Sequence, residues 1–549
     1  MKKMKVFLGL LLSVVMLFTV AAPALAANKC TCGKTPVISV TGIAHVPLVN
    51  GEGKQVFAPE GADIASTVLG VVPALGTFLN DGDVNALLDS LIPAVQTLFD
   101  PIKCDANGTP VDPSVHIDRY FEDPAASYNY EVKEGIVDEF SAACGDAVGG
   151  DHVFVFTYDW RRDMFDLAAD LNKYIKMVKE KTGHDKVAIN GQSMGTCVVQ
   201  TYLTVYGTGD LETVAQLSGA YTGVEMVGNL FKGNVEIDPD GLVDIIVQAI
   251  KGKSGDSALG QLLKYTSLFE RVLEKLAPML EDESKARIYN ELLIPYFGYI
   301  PSLWALVPLA DFQDALNFMF KDVQPGMELM AKLTRYMTRV QLPMESRVKG
   351  LVRNSRVNYF CVSHYNRQIA PITPTGKMNS DGVIETVHTS GFATVVDRNT
   401  YLPEDYTQAV NCHDKHISPD RVIDASTCWA PENTWFIKDM DHVGYTAGNS
   451  HFFVWLMTAD KQYDVYTNPI YTQFMKYNPD YDRLAAFLYE YGDVDLNGKI
   501  DLVDARLALR HCVNREYLEE VNFQRADPNV DGIISKKEIK GIMAVAVSA

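Results

Sequence analysis

The residues with the plainest chemical potential lie in Gly191-Gln192-Ser193-Met194-Gly195. Apolar Val187-Ala188-Ile189 precedes this run and helical Cys197-Val198-Val199-Gln200-Thr201-Tyr202-Leu203 follows it, so the spacing predicts a strand, a sharp turn and a helix with Ser193 at the tip. The two flanking glycines suit a turn whose backbone is pressed against its neighbours. A serine hydroxyl attacks carbonyl carbon only when an imidazole takes its proton and a carboxylate orients that imidazole. Among eleven histidines, His442 stands directly after the apolar strand signal Thr434-Trp435-Phe436-Ile437-Lys438, while His413, His416 and His451 lack that setting. For the acid, Asp420 in Ser418-Pro419-Asp420-Arg421-Val422-Ile423 is preferred to Asp424, giving the chain order Ser193, Asp420, His442. The developing alkoxide needs two backbone N–H donors, expected from Met194 and, after the first strand, from Ile43 beside Gly42.

Those groups need a rigid platform. Strand signals at 36–43, 151–157, 187–192, 214–218, 357–362 and 434–438 alternate with helical ones, of which 164–181 carries Leu167, Leu171, Tyr174, Ile175 and Val178 on one face. That alternation predicts an α/β fold with a parallel sheet covered on both faces, the strand at 434–438 being the last of its core. A hairpin is expected around 382–396, and helical patches such as 84–98 interrupt the connection from 48 to 150. Between 222 and 345 the strand signal disappears and apolar helical sequence takes over, which reads as a cap over the site and suits a substrate with an acyl chain.

Together with Tyr158-Asp159-Trp160-Arg161 before the helix that precedes the turn, the G-x-S-x-G run and the late Asp-to-His segment resemble the lecithin–cholesterol acyltransferase and phospholipase-like branch of the α/β-hydrolases, over roughly residues 36–455. The resemblance implies acyl-ester chemistry on a lipid-like substrate, with Ser193, Asp420 and His442 as the triad and no cofactor for catalysis. Two departures bear on the acyl acceptor: Gln192 stands where a histidine is common, and Ser-Pro-Asp-Arg-Val-Ile replaces a glycine-rich aspartate loop. Trp160 and Arg161 are read as a buried aromatic and cation that support the sheet.

A second pattern lies near the C-terminus. Asp493, Asp495, Asn497, Asp501 and Asp504 occupy positions 1, 3, 5, 9 and 12 of a loop with Gly498 at 6, and the Lys499 carbonyl would serve at 7. Asp527, Asn529, Asp531, Ser535 and Glu538 repeat the pattern around Gly532, with Ile533 at 7. Each loop is followed by a helical stretch, at 505–513 and 539–545. The pair resembles a type I dockerin over about 490–547, which implies two structural Ca²⁺ ions and docking to a cohesin domain of a scaffold protein. Leu502-Val503 and Lys536-Lys537 at positions 10 and 11 make the two faces unlike. A calcium-sensing EF-hand is the weaker reading in a secreted chain.

Lys2, Lys3 and Lys5, an apolar run and Ala24-Leu25-Ala26 mark residues 1–26 as a secretory signal peptide, and no later stretch is expected to cross a bilayer. A net charge of −20 over 549 residues argues against nucleic-acid partners and anionic membrane surfaces. Of nine cysteines, Cys197 and Cys361 read as buried; Cys412 could pair with Cys428, and Cys30, Cys32, Cys104 and Cys144 could pair among themselves. Cys30-x-Cys32 has no second pair at zinc spacing and is not expected to hold a metal. The expected division is a signal peptide (1–26), a hydrolase domain (27–485, with the cap at 222–345) and a dockerin (488–549). The expected product is a secreted, scaffold-associated carboxylic-ester hydrolase of lipase, phospholipase or acyltransferase type. A carbohydrate esterase acting in polysaccharide breakdown and a catalytically silent adhesion module are the alternatives.

Overall fold

The computed structural model describes residues 30–117, 139–243, 247, 260, 262–280, 282–354, 356–410, 415–488 and 491–548. The signal-peptide reading and Cys412 and His413 therefore fall outside the described residues.

Eight strands form one sheet: β1 (Val37–Val40), β2 (Val153–Phe156), β3 (Val187–Gln192), β4 (Leu211–Leu217), β5 (Asn358–Tyr365), β6 (Thr434–Lys438), β7 (Phe474–Asn478) and β8 (Arg483–Ala486). Their order is β8-β7-β6-β5-β4-β3-β1-β2. All neighbours run parallel except β8, which returns antiparallel to β7. Every residue of β1, β3 and β5 is buried, as expected for central parallel strands covered on both faces. The sheet continues two strands beyond β6, which the sequence reading took as its end.

The helices used below are α1 (Gly61–Asp81), α2 (Val84–Phe99), α3 (Glu139–Val148), α4 (Met164–Thr182), α5 (Gly195–Tyr206), α6 (Glu225–Phe231), α7 (Thr266–Leu276), α8 (Met327–Tyr336), α9 (Met344–Asn354), α10 (Ala447–Met457), α11 (Leu502–Cys512), α12 (Glu520–Ala526) and α13 (Lys536–Ser548). Side chains alternate across the strands, so Ile38, Phe154 and Ile189 meet Leu167 and Leu171 of α4 and Val198 of α5 on one face. On the other face Val37, Val153 and Ala188 meet Phe140 of α3 and Phe452 and Phe453 of α10.

The helical sequence at 222–345 divides in two. Leu303, Trp304, Leu333 and Tyr336, with Val348 of α9, belong to the same apolar core as α4 and α5, so this part is a layer of the body. By contrast α7 packs with α1 and α2 around a separate small core of Leu75, Phe78, Leu87, Val272 and Leu276. That three-helix unit draws on the connection after β1 as well as on the 222–345 segment. By length and composition α1 is apolar enough to cross a membrane, and Leu75 and Phe78 seat it on α7. No hairpin forms at 382–396. A short helix occupies Thr386–Thr389, and Thr394–Val395 pairs with the distant Ile423–Asp424.

The C-terminal helices α11, α12 and α13 enclose their own core of Val494, Ala505, Ala508, Phe523, Ile534 and Ile539. Arg483 of β8 joins this unit to the sheet, with Nη2 2.9 Å from Glu520 Oε1.

Candidate active site and candidate metal loops

Ser193 leaves β3 with φ +53°, a left-handed conformation that costs a non-glycine residue roughly 1–3 kcal/mol and persists only where its surroundings enforce it. The surroundings do so here. The Ser193 carbonyl accepts hydrogen bonds from the Ala220 N–H (3.1 Å) and the Thr196 hydroxyl (2.6 Å). A Cβ on Gly191 would stand 2.8 Å from Thr196 Cα, and one on Gly195 would stand 2.2 Å from the Val40 carbonyl oxygen. Both glycines therefore let α5 start hard against β1 and β3. Gly42, in the turn after β1, faces the serine directly, since a Cβ there would lie 2.9 Å from Ser193 Cβ. The chain leaves β1 toward β2 and leaves the adjacent β3 toward β4, on the opposite side, so Gly42 and Ser193 flank the point where the winding reverses. Neither the Ile43 nor the Met194 N–H donates to a backbone carbonyl among the described residues.

His442 follows β6, and its Nδ1 is 2.7 Å from Oδ2 of Asp381. Asp381 follows β5, and its side chain is fully buried. Its other oxygen, Oδ1, accepts the N–H groups of Val383 (2.9 Å) and Ile384 (2.8 Å). One oxygen is thus fixed by the backbone and the other is left for the imidazole. His442 Nε2 is buried and has no hydrogen-bond partner among the described residues, so its bond to Ser193 is not made in this conformation. Ser193, Asp381 and His442 all leave carboxyl ends of parallel strands, along one edge of the sheet.

The expectation that Asp420 orients the histidine is corrected by this geometry. Asp420 Oδ2 accepts from Lys438 Nζ (2.9 Å) and from the Tyr365 hydroxyl (3.2 Å), and Oδ1 accepts from Ser418 (2.7 Å), so both oxygens are engaged in bracing β5 against β6. Asp424 is not the partner either. It accepts from Tyr406 (2.8 Å), Ala409 N (2.7 Å) and Ser426 N (2.9 Å). Burial pushes its carboxyl up, but those hydrogen bonds outweigh burial and hold it below the usual range. His416 is tied to Gln473 (2.8 Å), and His451 is exposed. Asp381 itself stands in a glycine-bearing turn, Ser380-Asp381-Gly382-Val383-Ile384, in which Gly382 takes φ +99°.

Tyr158, Asp159 and Arg161 lie beneath the turn that carries Gly42 and Ile43. The Tyr158 hydroxyl donates to the Thr41 carbonyl at 2.9 Å. Arg161, with no exposed surface, grips Asp159 with both Nε (2.9 Å) and Nη2 (2.7 Å), and it donates to the Val115 carbonyl at 2.8 Å. The supporting role expected for Trp160 and Arg161 is the one they occupy, with Trp160 packed on Phe57 at 5.6 Å between ring centres.

Two further groups near the histidine were not foreseen. His364, at the end of β5, contacts the Asp441 carbonyl (3.0 Å) and the Ser218 hydroxyl (3.1 Å); burial pushes its imidazole down to about 4, against the pull of Asp381. Glu385 accepts the N–H groups of Glu225 and Met226 (both 3.0 Å), fastening α6 to the loop that carries Asp381.

In the first C-terminal loop, carboxylate oxygens of Asp493, Asp495 and Asp504 lie within 4.8 Å of one another. Asp504 is fully buried and accepts the N–H groups of Val494 (2.7 Å), Asp495 (3.0 Å) and Asp501 (2.8 Å). Asn497 and Gly498 N–H groups, both at 3.0 Å, fold the loop around Asp493, and Gly498 has φ +82°. In the second loop Asp527 accepts the Gly532 N–H (2.9 Å), and Gly532 has φ +79°. Burial, then the neighbouring Asp527 and Asp531 charges, push the Glu538 carboxyl up. Converging oxygens at this spacing, two of them on buried carboxylates, fit a hard divalent cation. Asp501 serves instead as the N-cap of α11.

The eight described cysteines are all free, so no disulfide links Cys30, Cys32, Cys104 and Cys144, and Cys428 is a buried thiol. No protein-family model and no curated protein matches the chain.

Proposed function

We propose that the chain is a serine-dependent carboxylic-ester hydrolase of the α/β-hydrolase type, with Ser193 as nucleophile, His442 as base and Asp381 as the orienting acid. The observation that carries this reading is the pair of constrained partners: a serine held at positive φ behind two obligatory glycines, and a histidine bonded to a buried, backbone-locked carboxylate. In the reaction Ser193 Oγ adds to the ester carbonyl carbon as its proton passes to His442 Nε2. The carbonyl oxygen becomes an alkoxide facing the N–H groups of Met194 and Ile43, with the N-terminal end of α5 adding its positive dipole. Collapse breaks the ester C–O bond, and the alcohol leaves with the His442 proton. Water then repeats the addition on the acyl-serine. Asp381 accepts the Nδ1–H throughout, which leaves Nε2 unprotonated and facing the serine before each attack and stabilises the imidazolium once Nε2 has taken the proton.

A lipid-like acyl substrate is favoured by α1, whose apolar surface is only partly covered by α2 and α7 and which belongs to a unit with its own core. A second reading, an esterase acting on acylated polysaccharide, is favoured by the two C-terminal loops, read as a dockerin that tethers a secreted enzyme to a cohesin scaffold. Two calcium ions would be held by Asp493, Asp495, Asn497, the Lys499 carbonyl and Asp504, and by Asp527, Asn529, Asp531, the Ile533 carbonyl, Ser535 and Glu538. When bound, they supply the charge neutralisation that lets the carboxylates pack together.

A serine-directed phosphonate tests the chemistry. Stoichiometric labelling that disappears in Ser193→Ala is expected; an unlabelled wild-type chain would sink the enzymatic reading in favour of an adhesion module. Rates on long-acyl esters, short p-nitrophenyl esters and acetylated xylan then separate the two substrate classes.

A further inference from the structure

At the edge of the sheet opposite Ser193, four side chains from three separate places meet. Cys30 and Cys32 precede β1, His152 immediately precedes β2, and His184 lies in the turn between α4 and β3. Their ligand atoms all fall within 4.8 Å of one another. Cys32 Sγ is 3.6 Å from His152 Nε2 and 3.4 Å from His184 Nε2, and the two Nε2 atoms are 3.2 Å apart. With metal–nitrogen bonds of about 2.0–2.1 Å and metal–sulfur bonds of about 2.3 Å, tetrahedral zinc sets such atoms about 3.3 Å apart for two nitrogens and about 3.6 Å for nitrogen and sulfur. The three edges among Cys32, His152 and His184 match those figures to about 0.2 Å.

The surroundings are those of a metal site as well. Asp151 Oδ1 lies 2.8 Å from His152 Nδ1, which places the proton there and turns the Nε2 lone pair inward. The Lys34 N–H points at Cys32 Sγ (3.4 Å) and the Cys32 N–H at Cys30 Sγ (3.5 Å), the arrangement that stabilises thiolates. Both cysteines are free. The expectation that Cys30-x-Cys32 holds no metal was drawn from the missing second cysteine pair; the partners are two histidines more than a hundred residues downstream, which no local spacing discloses.

We propose that Cys30, Cys32, His152 and His184 bind one zinc ion as a closed structural site. Binding releases the two thiol protons to solvent, and the two thiolates and two neutral imidazoles leave the site without net charge. Four protein ligands leave no open position, so the metal takes no part in ester chemistry. Its effect is mechanical. It clamps the segment ahead of β1, already held by the Cys30 N–H on the Gly183 carbonyl (3.0 Å), to the amino ends of the three adjacent strands β2, β1 and β3. The proposal stands whether or not the chain hydrolyses esters.

The test uses the full chain, desalted without chelator. Elemental analysis is expected to find about one zinc per chain, falling below about a tenth in Cys32→Ser and in His184→Ala. Replacing zinc by Co²⁺ in the unmutated chain is expected to give a thiolate-to-cobalt charge-transfer band, which the all-oxygen C-terminal loops cannot produce. This reading needs no variant to fold. A Cys30–Cys32 disulfide in the isolated protein, zinc content unchanged in both variants, or cobalt binding without the charge-transfer band would each overturn the proposal.

Discussion

The hydroxyl of Tyr158 donates to the carbonyl of Thr41 across 2.9 Å, and that bond ties the end of β2 to the turn that presents Gly42 and Ile43 to the serine. Both partners are buried, so the carbonyl has no water to turn to if the hydroxyl is removed. In the proposed mechanism Tyr158 is a positioning residue for the oxyanion turn.

Tyr158→Phe tests that role. Leaving a buried carbonyl unsatisfied costs about 1–3 kcal/mol of stability. If the turn loosens, kcat for a p-nitrophenyl ester should fall by roughly tenfold, as for about 1.4 kcal/mol of lost transition-state stabilisation, with KM little changed. A purely structural tyrosine would lower the melting temperature and leave kcat of the folded enzyme intact.

The two aspartates make a sharper contrast. Asp381→Asn removes the acceptor that fixes the His442 tautomer, and kcat should drop by on the order of 10⁴-fold with the fold retained. Asp420→Asn should leave kcat within a few-fold, because its oxygens meet Lys438, Tyr365 and Ser418 and not the histidine. Steady-state rates of the two purified variants decide it; the reverse ranking would return the role to Asp420.

Why Ser193 and His442 were legible in the sequence, and Asp381 was not, follows from how each is positioned. Ser193 is fixed by near neighbours, since the glycines it needs are two residues away and the strand and helix are contiguous with it. His442 sits just beyond a strong strand signal. The acid need only lie in the loop after β5, and that loop continues to β6 through residues 366–433 with several aspartates along it. Only the tertiary path, with 379–389 folded back against β5, selects Asp381, for instance through Thr386 Oγ1 on the His364 carbonyl (3.0 Å). The strands β1 to β6 were readable because nearly complete burial gives each a mostly apolar run. β7 and β8 carry Lys476 and Arg483 at the sheet's margin, where half-exposed residues weaken the pattern.

His364 gives a pH dependence with a definite sign. Its imidazole titrates near 4 in the fold against an ordinary value of 6.5, because burial opposes the charged form; Asp381 favours that form and His442 opposes it. Between those two values the unfolded chain binds the extra proton, so stability rises with pH across this window and the contribution is complete above 6.5. The slope from one proton is at most about 1.4 kcal/mol per pH unit. His364→Asn, whose amide can still donate to the Asp441 carbonyl, should flatten urea-denaturation midpoints between pH 4 and 6.5 relative to the parent. An unchanged slope would assign the acid sensitivity to other groups.

Chelators should separate the two ends of the molecule. The C-terminal helices enclose a core of only nine buried apolar residues, and the carboxylates at their loops repel one another unless a cation is present. A calcium-selective chelator is therefore expected to unfold α11 to α13, seen as lost helical ellipticity and lost cohesin binding, while ester hydrolysis stays within about twofold. The body has separate cores, and the link at Arg483 reaches Glu520 through partly exposed side chains, a pair worth about 0–1 kcal/mol. Adding calcium back should restore the helices. Loss of hydrolysis in step with ellipticity, with the zinc content unchanged, would show that the two units fold as one.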